Sequence, residues 1–134
     1  MSFTMEALLK PHRVVQAHCD LPCGVYDPAQ ARIEAESVKA IQDKYQGSED
    51  PAFRTRALDI KEQRSELVKH HLWVLWTDYF KPEHLEKYPQ LHELFWKATK
   101  EAGAAKKSED PAQGQKLLDA IDEIAKVFWE TKAA

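Results

Sequence analysis

Residues 50–80 read DPAFRTRALDIKEQRSELVKHHLWVLWTDYF, and the fold follows from them. Asp50-Pro51 has the form of a helix start. An Asp at the cap accepts from the free first-turn amides, and Pro suits the first helical position because its missing N–H had no partner there. Lys81-Pro82 closes the run, since the residue before a proline is pushed out of the helical region. Between these limits Phe53, Ala57, Ile60, Leu67, Leu75 and Tyr79 recur at helical spacing, which predicts one helix over 51–80 with an apolar face.

The same punctuation recurs on both sides. Asp27-Pro28 predicts a helix over about 28–45, with Ile33, Val38, Ile41 and Tyr45 on its stripe, and Gly47-Ser48-Glu49 makes the turn that follows. A short helical turn at 83–87 precedes a helix over about 89–105, striped by Leu91, Leu94, Phe95, Ala98, Ala102 and Ala105. Asp110-Pro111 opens the last helix, about 111–131, carrying Leu117, Leu118, Ile121, Ile124, Ala125, Phe128 and Trp129. Four such helices with short links predict an all-α, antiparallel four-helix bundle.

Composition agrees. The chain has 134 residues, enough for one domain with its own core, and only 4 Gly, too few for an all-β chain full of tight turns. A net charge of −3 argues against a nucleic-acid partner, and no apolar run approaches the roughly 20 residues of a membrane span.

Two polar residues interrupt the stripes. Glu34 lies four before Val38, and Arg64 lies between Ile60 and Leu67. Either each snorkels to water at the stripe's edge, or the two meet as a pair. His70, His71, His84 and His92 form no metal spacing with one another, and no site role is expected of them. Trp73, Trp76, Tyr79 and Phe80, with Phe95, Trp96, Phe128 and Trp129, exceed what one small core needs, and are either ordinary core or a subunit interface.

The chemistry lies before the first helix, in His18-Cys19-Asp20-Leu21-Pro22-Cys23-Gly24-Val25-Tyr26. It holds the only two cysteines of the chain, so the choices are metal, redox chemistry or neither. Pro22 breaks helix and makes a turn, and Gly24 lets the chain leave without steric conflict. Zinc usually takes four side-chain ligands, and only three are local. The count changes if the chain is cut before His18. The new α-amine, the Cys19 amide and two thiolates then form an N₂S₂ plane, which suits Ni(II) or Cu(II), with the His18 ring approaching as a fifth ligand.

Upstream, residues 1–17 lack the charged n-region and apolar h-region of a secretory signal, which predicts a cytoplasmic protein. The segment is either a frayed terminus with a short amphipathic helix at 3–9, or a propeptide cut at Ala17–His18. Pattern alone favours the former.

The stretch 18–26, continuing through Asp27-Pro28-Ala29-Gln30-Ala31-Arg32, resembles the N-terminal motif of mature nickel superoxide dismutases, and the helical remainder agrees in length and layout. The resemblance covers 18–134 and implies that 1–17 is a propeptide removed by a maturation protease. It implies one nickel ion per subunit, held by the His18 amine and ring, the Cys19 amide and thiolate, and the Cys23 thiolate. It also implies a homohexamer. Glu34 and Arg64 would orient the His18 imidazole, Asp20 would fix the hook, and Tyr26 and Tyr79 would border the site. The reaction would convert two superoxide anions and two protons into dioxygen and hydrogen peroxide, with cations such as Lys81 steering the anion. Three rivals remain: a copper- or zinc-binding helical module, a thiol redox protein forming a Cys19–Cys23 disulfide, and a metal-free interaction bundle.

Overall fold

The structure is a computed structural model, and it describes residues 23–134. The readings placed on His18, Cys19, Asp20 and residues 1–17 lie outside the described residues. The helices are α1 (Ala29–Gln46), α2 (Pro51–Val74), α3 (Pro82–Lys87), α4 (Leu91–Ala105) and α5 (Pro111–Ala133). No strand occurs among the described residues.

Each Asp-Pro pair caps a helix by one local device. Oδ1 of Asp27, Asp50 and Asp110 accepts from the amide of Ala29, Ala52 and Ala112, at 2.8, 3.1 and 2.9 Å. In α1 regular bonding begins one residue later than in the other two, with Pro28 in the cap position. The second helix does not run as pure α-helix to Phe80. Leu75–Tyr79 forms a π turn, closed by Phe80 N donating to Leu75 O at 3.0 Å. Phe80 and Lys81 are then extended, as the approach to Pro82 requires. The fourth helix starts at Leu91 rather than at Pro89, because Tyr88 to Gln90 make the turn out of α3.

The long helices run up and down, so the starts of α1 and α4 lie with the ends of α2 and α5. Contacts link α1 to α2, α2 to α4, α4 to α5 and α5 to α1, a closed square. The packing pairs small with large. Ala31 and Ala35 of α1, Ala98, Ala102 and Ala105 of α4 and Leu117, Ile121, Ile124 and Phe128 of α5 share one core, all nearly inaccessible to solvent. Alanine faces let helices approach, and the bulky residues of α5 fill the space to interior density. Each such bulky side chain contributes about 1.5–3 kcal/mol through burial.

The inward face of α2 differs from the apolar stripe read in the sequence. Ala57, Lys61, Ser65, Val68, Leu72 and Leu75 are buried, whereas Phe53 is 37% exposed. The long apolar residues Ile60 and Leu67 sit at the edge, and the true centre carries a lysine and a serine. Ile33 on α1 and Trp129 on α5 also face outward, at 59% and 51% exposure.

Lys61 is 1% exposed, and its Nζ donates to Ser108 O at 2.7 Å and lies 3.4 Å from Glu109 Oε1. Buried Gln42 donates to the same Ser108 carbonyl and to Gln113 Oε1, both at 3.1 Å. A β-carbon on Gly114 would fall 2.3 Å from Gln42 Oε1 and 3.0 Å from Lys39 Cα. Glycine is required there for the close approach of α5 to α1. These groups latch one end of the bundle, and the segment 23–28 enters at the other.

Candidate metal centre and its surroundings

Cys23 is exposed on the extended lead-in to α1. Its Sγ accepts the Val25 amide at 3.4 Å. Gly24 between them has φ of 75°, in the left-handed region that glycine enters without strain. Nothing lies within 4 Å of where its Cβ would be, so the need for glycine there is conformational rather than steric. The sulfur is thus presented outward on a tight turn. Among the described residues no group of three or more His, Cys, Asp or Glu side chains could hold a metal ion. Cys23 is the one expected ligand whose position is described. A soft sulfur that accepts a backbone N–H fits the thiolate donor a nickel site needs.

Behind this turn is a cavity of about 370 Å³, lined by Gly24, Tyr26, Asp78, Tyr79, Lys81, His84 and Lys132. Tyr26 and Tyr79 meet there with ring centroids 5.7 Å apart and planes at 56°. The π turn at the end of α2 carries Tyr79 into this wall, a place where such turns often serve function.

Tyr79 is clamped from several sides. Phe128 lies 4.4 Å away, Phe80 5.0 Å and a nearly parallel His84 ring 5.7 Å, with the Lys132 ammonium 5.2 Å from the ring centre. Its hydroxyl lies 2.7 Å from Thr131 Oγ1. His84 Nδ1 accepts the Lys81 amide at 3.1 Å. In the neutral ring the proton therefore sits on Nε2.

Glu34 and Arg64 do meet. Arg64 Nη1 donates to both carboxylate oxygens of Glu34, at 3.3 and 3.1 Å. Glu34 is seven residues into the chain from Asp27, about 10 Å along the axis from the hook end of α1. Arg64 is not inside the core, however. Its side chain is 41% exposed against 18% for Glu34, and the buried charge of α2 is Lys61.

Sequence reading missed His84, Asp78, Thr131 and Lys132 as neighbours of Tyr79. Only the third dimension joins them: Tyr79 and Thr131 are 52 residues apart. A larger groove, about 670 Å³, lies between α2 and α4, but its lining of Lys69, Trp96, Lys100 and neighbours holds no thiol, imidazole or carboxylate.

The described residues form a helical bundle with a cysteine-bearing turn set over a tyrosine-lined cavity. The family model for nickel-containing superoxide dismutase matches residues 13–132, and the chain belongs to that family. It is 65% identical over 130 residues to the superoxide dismutase [Ni] of Streptomyces coelicolor, covering 97% of this chain and 99% of that one. The Streptomyces seoulensis superoxide dismutase [Ni] is 64% identical over the same length. The solved native nickel superoxide dismutase superposes with a TM-score of 0.85 at 68% identity, covering 87% of this chain and all of that one.

Proposed function

We propose that the chain's nickel-dependent superoxide dismutase activity is carried by the hook, residues 18–26, set against the cavity at the open end of the bundle. His18, Cys19 and Cys23 supply the metal ligands, Tyr26 borders the reacting anion, and Asp20, Glu34, Arg64 and Tyr79 position the rest. Residues 1–17 are removed to free the His18 amine.

One observation carries this assignment. Solved variants of nickel superoxide dismutase replace a first-position histidine, a third-position aspartate and a ninth-position tyrosine. His18, Asp20 and Tyr26 have the same identities and the same spacing, with His18 first. Length supports the cut as well: 87% of 134 residues is about 117, the length of 18–134.

Two superoxide anions and two protons give dioxygen and hydrogen peroxide. Bound nickel supplies the one-electron acceptor and donor for the two halves by alternating between Ni(III) and Ni(II). The protein's part is placement. The cavity admits a small anion past Lys81 and Lys132, against the single opposing charge of Asp78. Tyr26 and Tyr79 order the anion and its water. The Glu34–Arg64 pair fixes a hydrogen-bonding partner for one nitrogen of the His18 ring, the outer-shell support that metal-ligating imidazoles usually have.

The chain works in the cytoplasm as a homohexamer. Outward-facing Ile33, Trp73, Trp96 and Trp129 support burial between subunits. No helix among the described residues is long and apolar enough to cross a membrane. Intact mass and elemental analysis of protein purified from its own cell test the assignment. The expected product begins at His18 and holds one nickel per chain; an active, nickel-loaded chain still beginning at Met1 would refute it.

A further inference from the structure

The structure assigns Thr131, in the last turn of α5, as a positioning residue that fixes which way the Tyr79 hydroxyl points its proton. The inference rests on the reading of Tyr79 as part of the site wall and goes beyond it. Thr131 Oγ1 has two oxygen neighbours, Phe128 O at 2.5 Å and Tyr79 Oη at 2.7 Å. A backbone carbonyl can only accept, so the single threonine proton goes to Phe128. Thr131 then has nothing left to donate and must accept from Tyr79. The phenol proton is committed away from the hook, toward α5.

This gives Tyr79 a defined office. Tyr79 shows the cavity an oxygen with free lone pairs, an acceptor for water or for another hydroxyl. It does not offer its proton to an anion there. The rings around Tyr79 hold its orientation, since Phe128, Phe80 and His84 block rotation out of the wall. Thr131 therefore sets the hydrogen-bond polarity of the cavity without touching substrate.

The test uses the nickel-loaded protein with Thr131→Val, Thr131→Ser and Tyr79→Phe. Valine keeps the shape and removes the acceptor; serine keeps the acceptor. The Fermi doublet of tyrosine in ultraviolet resonance Raman spectra separates phenols that donate from those that accept, and the difference from Tyr79→Phe isolates Tyr79. The expected spectrum is a donor signature for Tyr79, lost in Thr131→Val and kept in Thr131→Ser. Turnover per bound nickel should fall about fivefold in Thr131→Val, the equivalent of one neutral hydrogen bond, and return in Thr131→Ser. An unchanged doublet in Thr131→Val overturns the inference, as does full turnover in that variant while Tyr79→Phe is impaired. Full turnover in Tyr79→Phe overturns the role of Tyr79 itself.

Discussion

Cys23 stands out among single residues because it is the proposed metal ligand and yet lies apart from the packing of the helices. It is exposed, outside every helix, and absent from the core. Cys23→Ser and Cys19→Ser should therefore abolish dismutase activity and leave the helical circular dichroism unchanged. Loss of the helical signal would make the hook a structural element instead. Glu34 and Arg64 pose a different question, since a half-exposed ion pair contributes only about 0–1 kcal/mol to stability. Its activity effect should be larger, roughly 10–100-fold, if it orients the His18 ring. A double-mutant cycle with Glu34→Ala and Arg64→Ala should thus show strong coupling in turnover and weak coupling in unfolding. Independent effects on turnover would remove the pair from the site. The pairing of these two residues was legible in the sequence, because two charges interrupted two apolar stripes. The burial of Lys61 was not. A lysine looks like a surface residue until its partner is known, and the carbonyl of Ser108 lies 47 residues away.

At the scale of elements, the helices follow from three repeated Asp-Pro starts and from helical spacing, so their existence could be read directly. Their rotation could not. Counting only apolar residues turns α2 too far toward Ile60 and Leu67, since the buried Lys61 and Ser65 are not apolar. The latch these residues join can be measured. Lys61→Ala should destabilise the fold by about 1.5–3 kcal/mol, the range for a hydrogen bond to a charged group, read from the denaturant midpoint. Gly114→Ala should cost about 1–3 kcal/mol through overpacking against Gln42 and Lys39. Neither should change the Tyr79 environment at the opposite end. A second tie, from Lys106 to Glu66, joins the end of α4 to α2. The Glu66 carboxyl is held below its ordinary value of 4.5, first by the hydrogen bond from Lys106, then by the charges of Lys106 and Lys69, with burial opposing. A lowered carboxylate stabilises above its unfolded value and loses that effect as pH falls through the folded one. Glu66→Gln should therefore be less stable than the parent at neutral pH, and the difference should close below about pH 4.5.

For the whole molecule, charge matters more than its sum suggests. The net charge is −3, which disfavours an anionic substrate at long range, yet Lys81 and Lys132 line the cavity. Replacing both with Gln should lower kcat/KM and flatten its dependence on ionic strength, because only charges within about a Debye length of the entrance steer. Unchanged salt dependence would locate the steering elsewhere.

The last turn of α5 also has a practical consequence for anyone producing the protein. A purification tag joined after Ala134 starts four residues beyond Thr131 and three beyond Lys132, at the mouth of the cavity. A polyhistidine tag there would bring its own nickel-binding imidazoles beside the proposed site and would confuse any metal count. The connection between α4 and α5, around Lys107, lies at the distant end of the molecule, but an epitope inserted there would break the contacts of Lys61 and Gln42 with Ser108.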